Sequence, residues 1–169
     1  MKLRVLSLLL LIALYAVSYS TAEELTPSSF PPQQLELEAF TLSVDYDWVF
    51  KELTQEDTDN GLLLQADRAD GSQNLLVFKG GEGDFDSILE MTALNEYSGI
   101  AKREDSQTYN SLQFAFTTSE ENRCAAAYIS LEGTIYSFQL TSKPKEEHTA
   151  EKNPLETLQG ILLSLMPKP

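Results

Sequence analysis

Asp45, Asp47 and Trp48 stand together in Val44-Asp45-Tyr46-Asp47-Trp48. Two carboxylates so placed could be the acid and base of a glycosidase, where the gap between them in space decides the chemistry. The same three residues could instead line a small binding groove. A chain this rich in acids offers many such pairs by chance, so the pair does not itself name a reaction. The second polar cluster is Glu56-Asp57-Thr58-Asp59-Asn60-Gly61. Hard cations take grouped carboxylates, and an exported protein can meet calcium, so Asp57 and Asp59 are the candidate metal ligands. The acids are out of step with the D-x-[DN]-x-[DN]-G calcium loop, and the segment Gln55 to Gly61 reads as a solvated acidic loop.

Other reactive groups are isolated. His148 is the single histidine and lies in the polar run Glu146-Glu147-His148-Thr149, whereas a zinc site needs three or four converging ligands. Cys124 is the single cysteine, so no disulfide can close within the chain. It sits in Cys124-Ala125-Ala126-Ala127-Tyr128-Ile129, which reads as a buried strand holding an inert thiol. No Gly-x-Ser-x-Gly elbow places a nucleophilic serine. Lys79-Gly80-Gly81-Glu82-Gly83-Asp84 resembles the setting of a phosphate loop, but it lacks the Gly-Lys-Ser/Thr ending, and Glu82 and Asp84 would repel a phosphate. No catalytic residue is assigned, and no cofactor is expected.

The elements that must position these groups follow from periodicity. Phe40 to Val44 alternates with period two, and Asp45 to Asp47 turns it into a short segment from Trp48 to Leu53. Leu62 to Asp67 and Asn74 to Lys79 form a hairpin around Asp70-Gly71. Their continuous apolar runs suggest cover on both faces. A helix opens at Asp84, with Phe85, Ile88, Leu89, Met91 and Thr92 inward, and stops at Ser98-Gly99. Strands follow at Leu112 to Thr117, Arg123 to Leu131 and Thr134 to Leu140, the last two joined by Glu132-Gly133. Asn153-Pro154-Leu155-Glu156 caps a final amphipathic helix carrying Leu155, Leu158, Leu162 and Leu165 to Met166. The fold class is α+β: a mostly antiparallel β-sheet flanked by helices.

Phe40-Thr41-Leu42-Ser43-Val44-Asp45-Tyr46-Asp47-Trp48 resembles the opening of PsbP/Mog1-like domains, in which a strand runs into a short turn and a tryptophan. The central helix, the closing hairpin and a last helix ending Ile161-Leu162-Leu163-Ser164-Leu165 occur in the same order, over most of Leu35 to Met166. Where that family commonly has a proline before the tryptophan, this chain has Asp45 and Tyr46. The resemblance implies an α-β-α sandwich and an accessory or binding role, since domains of this family are mostly non-enzymatic partners in larger assemblies. Its matching residues are packing residues, so it assigns no site.

The chain opens with Lys2 and Arg4, an apolar run from Val5 to Val17, then Ser18, Ser20, Thr21 and Ala22. That is the order of a secretory signal peptide, and the run falls short of the about 20 residues that span a bilayer. Residues 1–22 are read as cleaved after Ala22, with Ser20 the other acceptable site. Residues 23–34 form a Pro/Ser/Glu-rich flexible leader, and 35–169 a single domain. No cysteine follows the apolar run to carry a lipid, so no stable membrane anchor is expected.

Removing 22 of 169 residues leaves 147, and the loss of two positive charges moves the net charge from −14 to −16. Nucleic acid and anionic lipid surfaces are poor partners on charge, and none is expected, while a protein or peptide with a cationic surface is permitted. The sequence thus describes a secreted or periplasmic, non-enzymatic binding protein, expected to be a monomer acting through an acidic surface. A secreted carboxylate-based hydrolase and a calcium-responsive surface protein are the alternatives.

Overall fold

The computed structural model describes residues 31–119, 123–143 and 153–169, and Pro32–Pro169 forms one compact unit. The signal-peptide reading, most of the leader and His148 lie outside the described residues.

Among the described residues, ten strands and three helices follow in the order β1 (Gln33–Glu36), β2 (Phe40–Val44), β3 (Trp48–Phe50), α1 (Gln55–Asp59), β4 (Leu62–Arg68), β5 (Gln73–Glu82), α2 (Phe85–Tyr97), β6 (Lys102–Tyr109), β7 (Leu112–Ser119), β8 (Cys124–Leu131), β9 (Thr134–Ser142), α3 (Pro154–Leu162) and β10 (Met166–Pro167). The large sheet has seven strands in the order β3-β4-β5-β9-β8-β7-β6, and β1, β2 and β10 form a small sheet beside it. Every pairing is antiparallel. The expected α+β class is the observed one.

The apolar residues explain the layers. Phe114 and Phe116 of β7, Ala125, Ala127 and Ile129 of β8, and Tyr136, Phe138 and Leu140 of β9 share one face with β2 and with Leu158, Ile161, Leu162 and Leu165. Phe40 meets Tyr136 edge-on, its ring centroid 5.3 Å away. The opposite face at β6, β7 and β8 takes α2, which buries Ile88 and Thr92. Burial on both faces therefore falls on β7, where Phe114 to Thr117 are all buried, and not on β4 and β5 as the apolar runs suggested; those strands alternate buried and half-buried.

Local signals set the boundaries. The α2 C-terminus is a Schellman motif: Gly99, at φ +70, donates to the Glu96 carbonyl at 3.0 Å and Ile100 to that of Asn95 at 2.9 Å. Positive φ at both Glu132 and Gly133, and at both Asn110 and Ser111, marks two-residue turns of type I′.

Several expectations are corrected. Gln55 to Asp59 is a helical turn, not a loop, because Thr54 and Asp57 close a capping box. Strand pairing begins at Gln33, two residues before the expected domain start. β5 runs on through the glycines to Glu82 past a register shift, and α3 stops at Leu162 so that Met166 pairs with Thr41. β3 ends at Phe50, short of Leu53, and β6 was not anticipated at all.

Candidate functional site

The β2–β3 turn places Asp45, Asp47 and Trp48, and the register of β3 with β4 puts Trp48 opposite Arg68. Arg68 is the residue that the sequence reading missed. Buried residues of β4 recur at Leu62, Leu64, Ala66 and Arg68, so a cation occupying the last slot of an apolar alternation was the available signal. Its side chain is only 6% exposed. A buried guanidinium needs partners for its charge and its donors, and Arg68 has them on every side. Nη1 binds Asp47 Oδ2, Nη2 lies 3.5 Å from Asp45 Oδ2, and Nε donates to Gln73 Oε1 at 3.1 Å. Its Cζ lies over the indole of Trp48, 5.0 Å from the ring centroid.

The network continues into the last helix. Gln73 Nε2 donates to Ser142 Oγ at 3.1 Å and to Thr157 Oγ1 at 3.3 Å. From the other side, Gln33 Nε2 donates to the carbonyls of Asp45, Tyr46 and Trp48, at 3.2, 3.2 and 2.9 Å. Asp47 Oδ1 and Trp48 Nε1 are buried without a hydrogen-bond partner among the described residues. Ser43, Asp45, Arg68, Glu156, Thr157 and Gly160 line an open cleft of about 420 Å³.

Chemically, the two aspartates are both engaged by a single cation. They converge on one guanidinium. Trp48 is buried beneath it and does not line the cleft, so of the proposed groove residues only Asp45 does. Asp45 and Glu156 leave the cleft mouth acidic.

Asp57 and Asp59 stand elsewhere, on α1, and each has a local task. Asp57 Oδ2 accepts from the Thr54 hydroxyl at 2.7 Å and the Thr54 amide at 2.9 Å, and these bonds hold its carboxyl below the usual range. Asp59 accepts from Gln55 at 2.8 Å. Among the described residues, no three His, Cys, Asp or Glu side chains converge on a point. Cys124 is half-buried rather than buried, and borders a shallow cleft with Ala126, Tyr128 and Gln139. Gly83 donates to the Gly133 carbonyl at 2.8 Å, and its own carbonyl accepts from Ser130 at 2.6 Å. The glycine segment is therefore a strand end tied to the β8–β9 hairpin.

No family model matches the chain, and no curated protein matches it. Among solved structures, it is similar to the cyanobacterial PsbP (CyanoP) of Synechocystis sp. PCC 6803. The TM-score is 0.52 at 11% identity, over 89% of this chain and 99% of that one. The fold is PsbP-like. A second structure, from Bacteroides thetaiotaomicron VPI-5482, gives a TM-score of 0.49 at 14% identity, over 77% of this chain and 45% of that one. The PsbP-like framework explains the α+β layering, and the Arg68 network is described from this chain's own side chains. No described helix is long and apolar enough to cross a membrane.

Proposed function

We propose that this PsbP-like chain is an exported, non-enzymatic accessory protein that engages a cationic protein or peptide through its acidic surface, as a monomer and without a cofactor. The observation that carries the reading is the convergence of Asp45 and Asp47 on buried Arg68. Carboxylates that neutralise one guanidinium hold the β2–β3 turn in place, and that pairing supports a structural role over the acid and base of a glycosidase. What remains is a chain of net charge −14, or −16 once Lys2 and Arg4 are removed with the signal peptide, whose long-range field attracts cations and repels anions.

The test is capture of a basic peptide by the purified protein at increasing salt, beside an activity screen on glycan and ester substrates. The reading expects binding that weakens as salt screens the field. Turnover of a substrate that disappears in Asp45→Asn or Asp47→Asn overturns it in favour of a hydrolase. A melting temperature raised by calcium and lowered by chelator overturns the cofactor-free part. Export is tested separately by the N-terminus of the protein recovered outside the cytoplasm, which should be Glu23.

A further inference from the structure

The end of α2 carries the three most exposed large apolar residues among those described. Tyr97 is 92% exposed, and Leu94 and Ile100 are each 65% exposed. Apolar groups gathered at one end of a helix in this way mark an interaction surface more often than scattered ones do. Asp86, Glu90, Leu94 and Tyr97 follow one another at helical spacing along the solvent side, so the same stripe is acidic at one end and apolar at the other. The helix contains no lysine or arginine, and its carbonyl end adds partial negative charge beside Tyr97. Next to the stripe, Glu96, Gly99, Ile100, Ala101 and Thr118 line an open cleft of about 340 Å³. Lys102, at its edge, is paired with Glu104 at 3.0 Å.

We infer that this end of α2 is where the cationic partner docks, and that the partner presents a basic amphipathic segment whose apolar residues cover Leu94, Tyr97 and Ile100 while its cations meet Asp86 and Glu90. The inference rests on the acidic-surface reading and adds its location and the need for an apolar anchor. A second copy of the chain is disfavoured by like charge, as are anionic lipid and nucleic acid.

The test is fluorescence anisotropy of a labelled Lys/Leu amphipathic peptide, with Lys/Ser and Glu/Leu peptides of equal length beside it. The Lys/Leu peptide should bind best, Lys/Ser more weakly and Glu/Leu not at all. Tyr97→Ser, alone and with Leu94→Ser, should weaken Lys/Leu binding about tenfold or more. Val49→Ser, exposed on the opposite edge strand β3, should bind as the unaltered protein does. Equal binding by the Tyr97 and Leu94 variants overturns the location while leaving the acidic-surface reading standing. Failure of every basic peptide to bind the unaltered protein overturns both. Sedimentation that shows self-association, lost in Tyr97→Ser with peptide binding unchanged, would assign the patch to a second copy instead.

Discussion

Arg68 lies directly across the β3–β4 ladder from Trp48, its guanidinium over the indole while both neighbouring aspartates bind it. The arrangement puts one cation at the junction of the hairpin, the turn and, through Gln73, the last helix. Arg68→Met should destabilise the protein by about 2–3 kcal/mol, because Asp47 is left half-buried without its partner. The value falls below that for a fully buried pair because Asp45 is largely exposed. Urea unfolding followed by fluorescence of Trp48, the single tryptophan, measures it. Arg68→Lys should recover only part of the loss, since an ammonium cannot stack and bridge at once.

Gly61 and Gly71 both have positive φ, but their surroundings differ. A Cβ on Gly61 would come 2.5 Å from the Lys79 carbonyl oxygen, whereas one on Gly71 meets open space. Gly71→Ala should therefore cost about 1 kcal/mol from backbone conformation alone, and Gly61→Ala distinctly more, because the obstructing atom is backbone in the neighbouring strand. Equal shifts in the urea midpoint for the two variants would contradict the close approach.

Asn110 donates to the carbonyls of Leu163 and Leu165, both at 3.0 Å, from a turn whose φ is also positive. Asn110→Gly keeps the turn geometry and removes the two bonds, so it should cost about 1 kcal/mol through loss of this clamp on the end of α3. Asn110→Ala should cost more, since it adds backbone strain. Hydrogen exchange should rise first at Leu165 and Lys168.

The carboxyl of Asp67 is held below the usual range, chiefly by the Asn74 amide at 2.8 Å and then by Lys51 at 3.1 Å. A depressed folded-state pKa contributes stability that is fully present above the unfolded value near 3.9 and is lost as pH falls through the folded value. The stability difference between the unaltered protein and Asp67→Asn should therefore be constant from neutrality to about pH 5 and shrink below about pH 4. A difference that grew on acidification would reverse the assignment.

Much of the framework was legible because apolar residues recur with period two in β2, β7, β8 and β9 and with helical spacing in α3. β6 was not, because Lys102-Arg103-Glu104-Asp105-Ser106-Gln107-Thr108-Tyr109 is an edge strand with no buried residue to leave a pattern. The helical turn at Gln55 carries no apolar stripe either, and only the Thr54–Asp57 spacing announces it. At the site, Asp45, Asp47 and Trp48 were visible as neighbours in sequence. Arg68 was not joined to them, because the join exists only through strand register across a loop.

Ser164 Oγ donates to the Ser43 carbonyl at 3.0 Å and accepts from the Ser43 amide at 2.8 Å, a meeting of residues 121 positions apart. Leu158, Ile161, Leu162 and Leu165, which close the core over β2, are made after nearly all of the sheet. The core is therefore complete only with α3 in place, and its closure joins segments far apart in sequence.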